Sequence, residues 1–143
     1  MYKLSLLFII ALLLGACTKQ KPSITYFDAQ YGYAETVVIE EGLKKTIIIS
    51  GQIGTGDDLE TQMLATLTNL NKQLQKHGAD YSNLIKINSF IVNHKPEDLV
   101  TFRNVREEVF ENDVTPASTL VGVQALAKPE WLIEIDAEAV IFR

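Results

Sequence analysis

Glu134 and Asp136 stand two residues apart in the β-rich stretch Ile133-Glu134-Ile135-Asp136, so period-two geometry places both carboxylates on one face of a strand. Such a pair can divide into a proton donor and a proton acceptor once a cleft raises one of the two pKa values. On a solvated sheet face the same pair does no chemistry, and the pattern alone leaves both readings open. His77 and His94 lie far apart, and neither a second cysteine nor a neighbouring histidine completes a metal-ligand spacing. They read as solvated loop histidines, and neither a metal nor a cofactor is expected.

Cys17 is the single cysteine, and its position decides its reading. It follows Met1-Tyr2-Lys3, an apolar run from Leu4 to Leu14 broken only by Ser5, and then Gly15-Ala16. That run falls short of the roughly 20 residues a membrane-spanning helix needs, so it reads as a removable export signal. Leu14-Gly15-Ala16-Cys17 matches the bacterial lipobox, in which the thiol accepts diacylglycerol and the cysteine becomes the new N-terminus. The expected organisation is therefore a signal peptide over 1–16, a lipidated Cys17 and tether over 17–30, and one domain over 31–143. The expected place is the cell envelope, with the chain lipid-anchored on the outer or periplasmic side of a membrane. No thiol then remains for disulfides, metal binding or nucleophilic attack, and packing or assembly must supply the stability.

With 13 Lys and Arg against 18 Asp and Glu, the formal net charge is -5, and no basic stripe interleaves with aromatic residues. Nucleic acid is accordingly excluded as an expected partner, because phosphate binding needs concentrated cations. Removing the signal leaves roughly 125 residues, enough for one domain with a real core.

The elements that must carry these residues follow from spacing. Thr36–Glu40 and Thr46–Ser50 are β-branched runs around Glu41-Gly42-Leu43-Lys44-Lys45, which predicts a hairpin. Leu59, Met63, Leu67, Leu70 and Leu74 form one helical face, with Asp57 as the expected N-cap, Glu60 completing a capping box and Gly78 as the stop. Leu84–Val92 reads as a third strand. Pro96-Glu97-Asp98 opens a second helix whose apolar face is Leu99, Phe102, Val105, Val109 and Phe110. Ser118–Leu126 and Leu132–Phe142 are two further strands. The order ββαβαββ predicts an α+β fold, a mixed sheet with two helices on one face. Its second face must stay polar or be covered, and self-association is a natural cover.

Five ordered landmarks carry a resemblance: Ser50-Gly51-Gln52-Ile53, Ile85-Lys86, Phe90-Ile91-Val92, Pro116-Ala117-Ser118-Thr119 and Ile133-Glu134-Ile135-Asp136-Ala137. Together they resemble the YjgF/RidA family, from about Gly32 to the C-terminus. The resemblance implies a chorismate-mutase-like protomer, a homotrimer with small-molecule clefts between subunits, and hydrolysis of imine or enamine intermediates. It also implies that Tyr33 and Gly51 line the cleft and that Glu134 handles the hydrolytic water.

One departure bears on the substrate. The family's deaminases have Pro-Ala-Arg, with the arginine binding the substrate carboxylate, where this chain has Pro116-Ala117-Ser118. A serine hydroxyl offers one neutral hydrogen bond in place of a charged two-pronged grip, a loss of a few kcal/mol in carboxylate binding. This argues against 2-iminoacids as substrates. The cysteine often found two residues after that arginine is Leu120 here. Arg103 is a candidate substitute that could reach the space at Ser118. Against that role stand a surface pairing with Glu107 at i+4 and a one-residue slip that would make Asn104 the matching residue. Two functions follow: a RidA-like hydrolase with an altered substrate, or a trimeric envelope module that binds a metabolite without turnover. Ribonuclease activity, attributed to some relatives, sits poorly with the acidic balance.

Overall fold

The computed structural model describes residues 21–110 and 114–143. The expected export signal and Cys17 lie outside the described residues. The two expected helices and five expected strands are present, preceded by one more strand: β1 (Ser23–Phe27), β2 (Thr36–Glu41), β3 (Lys44–Gln52), α1 (Leu59–Lys76), β4 (Leu84–Val92), α2 (Asp98–Val109), β5 (Ala117–Val123) and β6 (Ile133–Phe142). A short 3-10 turn at Tyr81–Asn83 leads into β4.

The strands form one sheet in the order β1-β2-β3-β6-β4-β5, antiparallel throughout except for the parallel pair β4 and β5. The sheet is mixed, as the element order predicts. β6, last in the chain, sits between β3 and β4, and its alternation is regular: Ile133, Ile135, Ala137 and Ala139 are buried under the helices. The intervening Glu134, Asp136 and Glu138 face the other way.

α1 packs on β3, β6 and α2, and its Met63, Leu67, Leu70 and Leu74 are fully buried. Each such side chain stabilises the fold by about 2 kcal/mol through removal from water. The N-cap is Asp58, one residue later than expected. Its carboxylate accepts from Thr61 N at 2.8 Å, while Thr61 Oγ1 accepts from Asp58 N at 3.3 Å. Thr61 rather than Glu60 therefore completes the capping box, and Asp57 belongs to the preceding loop. At the far end Gly78 adopts φ +75°, the left-handed stop that its position implies.

β1 lies in the stretch expected to be tether. All five of its residues are exposed, and it is held by backbone pairing to β2, Ser23 opposite Glu40 and Phe27 opposite Thr36. Neither histidine is a freely solvated loop residue. His77 caps α1 half-buried with its ring 4.5 Å from Phe27, and half-buried His94 packs its Cβ against Gly122. Among the described residues no helix is long and apolar enough to cross a membrane.

Candidate functional site

Tyr33 is aimed by a tight turn. Gln30 and Tyr33 exchange backbone hydrogen bonds of 2.9 and 3.1 Å around Tyr31 (φ +51°) and Gly32 (φ +88°). Two consecutive left-handed residues inside a closed two-residue loop are the signature of a type I′ turn. The turn delivers Tyr33 and Glu35 to the start of β2.

Beside them β3 breaks register. Ile49 opposes Ala137 and Gln52 opposes Ile135, so Ser50 and Gly51 together face the single residue Asp136, which is a β-bulge. The bulge is tied down by Ser50, whose N donates to Glu35 O at 3.0 Å and whose Oγ donates to Ala34 O at 2.6 Å. Gln52 Nε2 donates to Ser50 O at 3.0 Å and to Glu35 Oε2 at 3.3 Å, and Tyr33 OH donates to Glu35 Oε1 at 3.4 Å.

The bulge brings bare backbone under Glu134. A Cβ on Gly51 would lie 2.6 Å from Glu134 Cδ, so only glycine leaves room for the carboxylate there. Partial burial pushes the Glu134 pKa above its ordinary value, and the neighbouring Asp136 carboxylate adds to the push. Asp136 is itself engaged, accepting from Asn88 Nδ2 at 2.7 Å.

The wall that carries Trp131 is tied to α1 through one buried side chain. Gln62 is 4% exposed. Its Nε2 donates to Gly56 O (3.1 Å) and Glu130 O (2.9 Å), and its Oε1 accepts from Leu132 N (2.9 Å). That clamp fixes the segment carrying Trp131 to the first residue before β6. Tyr33, Glu35, Gly51, Gln52, Trp131 and Glu134 thereby line an open cleft of about 560 Å³. A second depression of about 520 Å³ adjoins it and shares Tyr33 and Ser50.

Tyr33, Gly51 and Glu134 therefore line one cleft. Ser118 and Arg103 are not part of this cleft within one protomer. Ser118 pairs with buried Ile87 and so lies on the helix side at the sheet edge, whereas Glu134 faces the open side. Arg103 is exposed on α2, and among the described residues it makes no ion pair with Glu107. The guanidinium that does reach Ser118 belongs to Arg106, whose Nη1 donates to Ser118 Oγ at 2.7 Å. It lies 5.5 and 5.2 Å from the ring centroids of Phe102 and Phe110. Arg106 is the contact to Ser118 that sequence reasoning missed; its spacing of three from Arg103 could have signalled it, since both lie near one helix face. Trp131 and Gln62 were likewise not singled out.

A bulge in β3 brings bare backbone under a carboxylate of β6, at one end of a mixed sheet with two helices on one face, and this defines an α+β protein with an open cleft. The chain belongs to the endoribonuclease L-PSP family, the YjgF/RidA proteins, whose pattern matches residues 24–141. A YjgF-family protein from Neisseria meningitidis has 25% identity and a TM-score of 0.71 over 82% of this chain and 94% of its own. A Rid-family protein of unknown function from Yersinia pestis has 29% identity and a TM-score of 0.65 over 85% of this chain and all of its own. A YjgF-family protein from Mycobacterium tuberculosis shares the fold, with 22% identity and a TM-score of 0.70 over 85% of this chain and all of its own.

Proposed function

We propose that this protein is a RidA-type hydrolase of carbon-nitrogen double bonds, working as a homotrimer in clefts between subunits. We further propose that it is exported and held to a membrane of the cell envelope by a lipid on Cys17. The observation that carries the reaction is Glu134 lying over Gly51 in the cleft, where partial burial and the Asp136 carboxylate push its pKa up and make it a better proton acceptor than a free glutamate.

In this reading Glu134 takes a proton from water as the water oxygen bonds to the imine carbon. The carbon-nitrogen π pair moves to nitrogen, which takes that proton back from the Glu134 carboxyl group. Glu134 then carries the carbinolamine hydroxyl proton to nitrogen as the carbon-nitrogen bond breaks, releasing ammonia and leaving a carbonyl compound. Tyr33 and Trp131 supply aromatic walls for the substrate body, and Gln52 offers a neutral polar contact.

Arg106 revises the substrate. The place that resembles the deaminases' arginine holds Ser118, yet a guanidinium arrives there from α2. In the trimer the Ser118 edge of one subunit completes the cleft of its neighbour, so Arg106 returns a cation to that wall and carboxylate-bearing imines are again the favoured substrates. The test is ammonia release from freshly generated imines with and without a carboxylate. Wild type is expected to prefer the carboxylate series, Glu134→Gln to lose turnover, and Arg106→Ala to raise KM for that series alone. Ammonia release equal to buffer, unchanged by Glu134→Gln, removes the hydrolase reading. A retained ligand without turnover would favour the binding module instead. RNA is disfavoured because the part of the cleft built by one protomer holds Glu35 and Glu134 and no basic residue, and a single Arg106 from a neighbour does not make the concentrated positive charge that phosphate binding needs.

A further inference from the structure

We infer that the end of the sheet opposite the cleft docks on an anionic phospholipid surface, so that the domain stands on the membrane with its cleft facing away. This rests on the envelope location proposed above and adds an orientation to it.

Three chain features meet at that end. The described chain enters there, since Lys21 lies two residues before Ser23, which pairs with Glu40 near the end of β2. The β2–β3 hairpin turns there through Gly42 and Leu43, with Gly42 at φ +59°. β6 finishes there, with Phe142 opposite Lys44 and Arg143 N donating to Leu43 O at 2.9 Å.

The chemistry of that end differs from the rest of the molecule. Leu43 and Phe142 are 70% and 75% exposed although both are large and apolar. Around them Lys21, Lys44, Lys45 and Arg143 line a small polar hollow with Glu40, which pairs with Arg143 at 2.9 Å. Counting Glu41 as well, four cations stand against two carboxylates in a chain whose net charge is -5; Lys45 Nζ donates inward to His77 O at 2.6 Å, and Lys44 is exposed beside Leu43. Apolar side chains ringed by Lys and Arg suit the headgroup boundary of an anionic leaflet, where the apolar tips enter and the ammonium groups meet phosphates.

Connectivity selects a membrane over other acidic surfaces. Only Thr18-Lys19-Gln20 separates Cys17 from Lys21, and two of the residues from 18 to 21 are lysines. A lipid on Cys17 would hold this end, and no other, within a few residues of the bilayer. The cleft sits at the far end of the same strands. Gly51 and Gln52 close β3 and Glu134 opens β6, so the cleft stands a strand length, roughly 25 Å, above the tip.

Trp131, the single tryptophan, is a built-in reporter at the cleft end. The full lipidated chain, and its Leu43→Trp and Phe142→Trp variants, are reconstituted in vesicles of phosphatidylcholine and phosphatidylglycerol with either plain or brominated acyl chains. Flotation is measured on the same samples. The expected result is quenching by brominated lipid of the emission added at 43 and 142, with Trp131 emission unchanged. Lys44→Gln in the Leu43→Trp background should lower the docked-to-undocked ratio about fivefold in these vesicles. In pure phosphatidylcholine that substitution should have no effect. A chain that floats but leaves both added tryptophans unquenched overturns the docking and leaves the anchor standing. A chain that does not float overturns both, and neither result touches the hydrolase reading.

Discussion

The side chain of Glu134 occupies the volume that a Cβ on Gly51 would fill. The obstructing atoms are the far end of a flexible side chain, so Gly51→Ala is expected to fold with a stability change within about 1 kcal/mol while swinging the carboxylate out of place. Turnover and ligand-induced thermal shift should be lost together, and a circular dichroism spectrum matching wild type would show that the fold survived. Full activity in this variant would remove Glu134 from the mechanism.

The raised pKa of Glu134 has consequences for both rate and stability. Acting as a base, Glu134 should give an acid limb in kcat/KM above the usual glutamate range. Asp136→Asn should move the limb down only in part, because burial is the larger cause and Asp136 the smaller. For stability, the folded state holds this proton more tightly than the unfolded chain does. Its contribution is present below the unfolded pKa and is lost as pH rises through the folded one. Glu134→Gln should therefore raise Tm at neutral pH, with the gain vanishing in acid.

Gln62 holds three backbone groups across two loops. Gln62→Ala would leave Gly56 O, Glu130 O and Leu132 N without that partner, a loss of about 3 kcal/mol at roughly 1 kcal/mol per bond. Chemical denaturation measures the loss. A shift in Trp131 emission before unfolding would report that the cleft wall had loosened, and an unchanged midpoint would contradict the clamp.

Tyr81 offers a cleaner titration. Burial raises its pKa to about 12, its OH donates to Leu67 O at 2.8 Å, and its ring lies 5.1 Å from that of Phe110. In alkaline difference spectra one tyrosine should ionise late, and Tyr81→Phe should delete that step. Because the unfolded chain releases this proton near 10, stability should fall as pH rises from about 10 to 12, and less so in Tyr81→Phe.

Burial pattern explains what the sequence disclosed. The hairpin, the α1 stripe, β4 and β6 each bury one face, so period two or 3.6 is written into residues such as Ile133, Ile135, Met63 and Leu67. β1 buries neither face of Ser23–Phe27 and is held chiefly by backbone pairing, with Phe27 against His77 at its end, which leaves no alternating side-chain pattern to read. The N-cap moved because Asp57 and Asp58 are chemically alike and Thr61, rather than Glu60, sits where it can return a bond. In the cleft, Tyr33, Gly51 and Glu134 were legible through resemblance. Arg106 was not, because choosing it over Arg103 needs the rotation of α2 relative to Ser118, which is a tertiary quantity. The bulge at Ser50 and Gly51 is a pairing offset with β6 and has no local signature beyond its glycine.

β6 is the last of the six strands in sequence yet takes a central place in the sheet. Until its ten residues dock, β3 and β4 lack their common neighbour and α1 has no floor under much of its apolar face. Closing the sheet therefore waits on pairings between residues far apart in sequence, and such a non-local topology folds slowly.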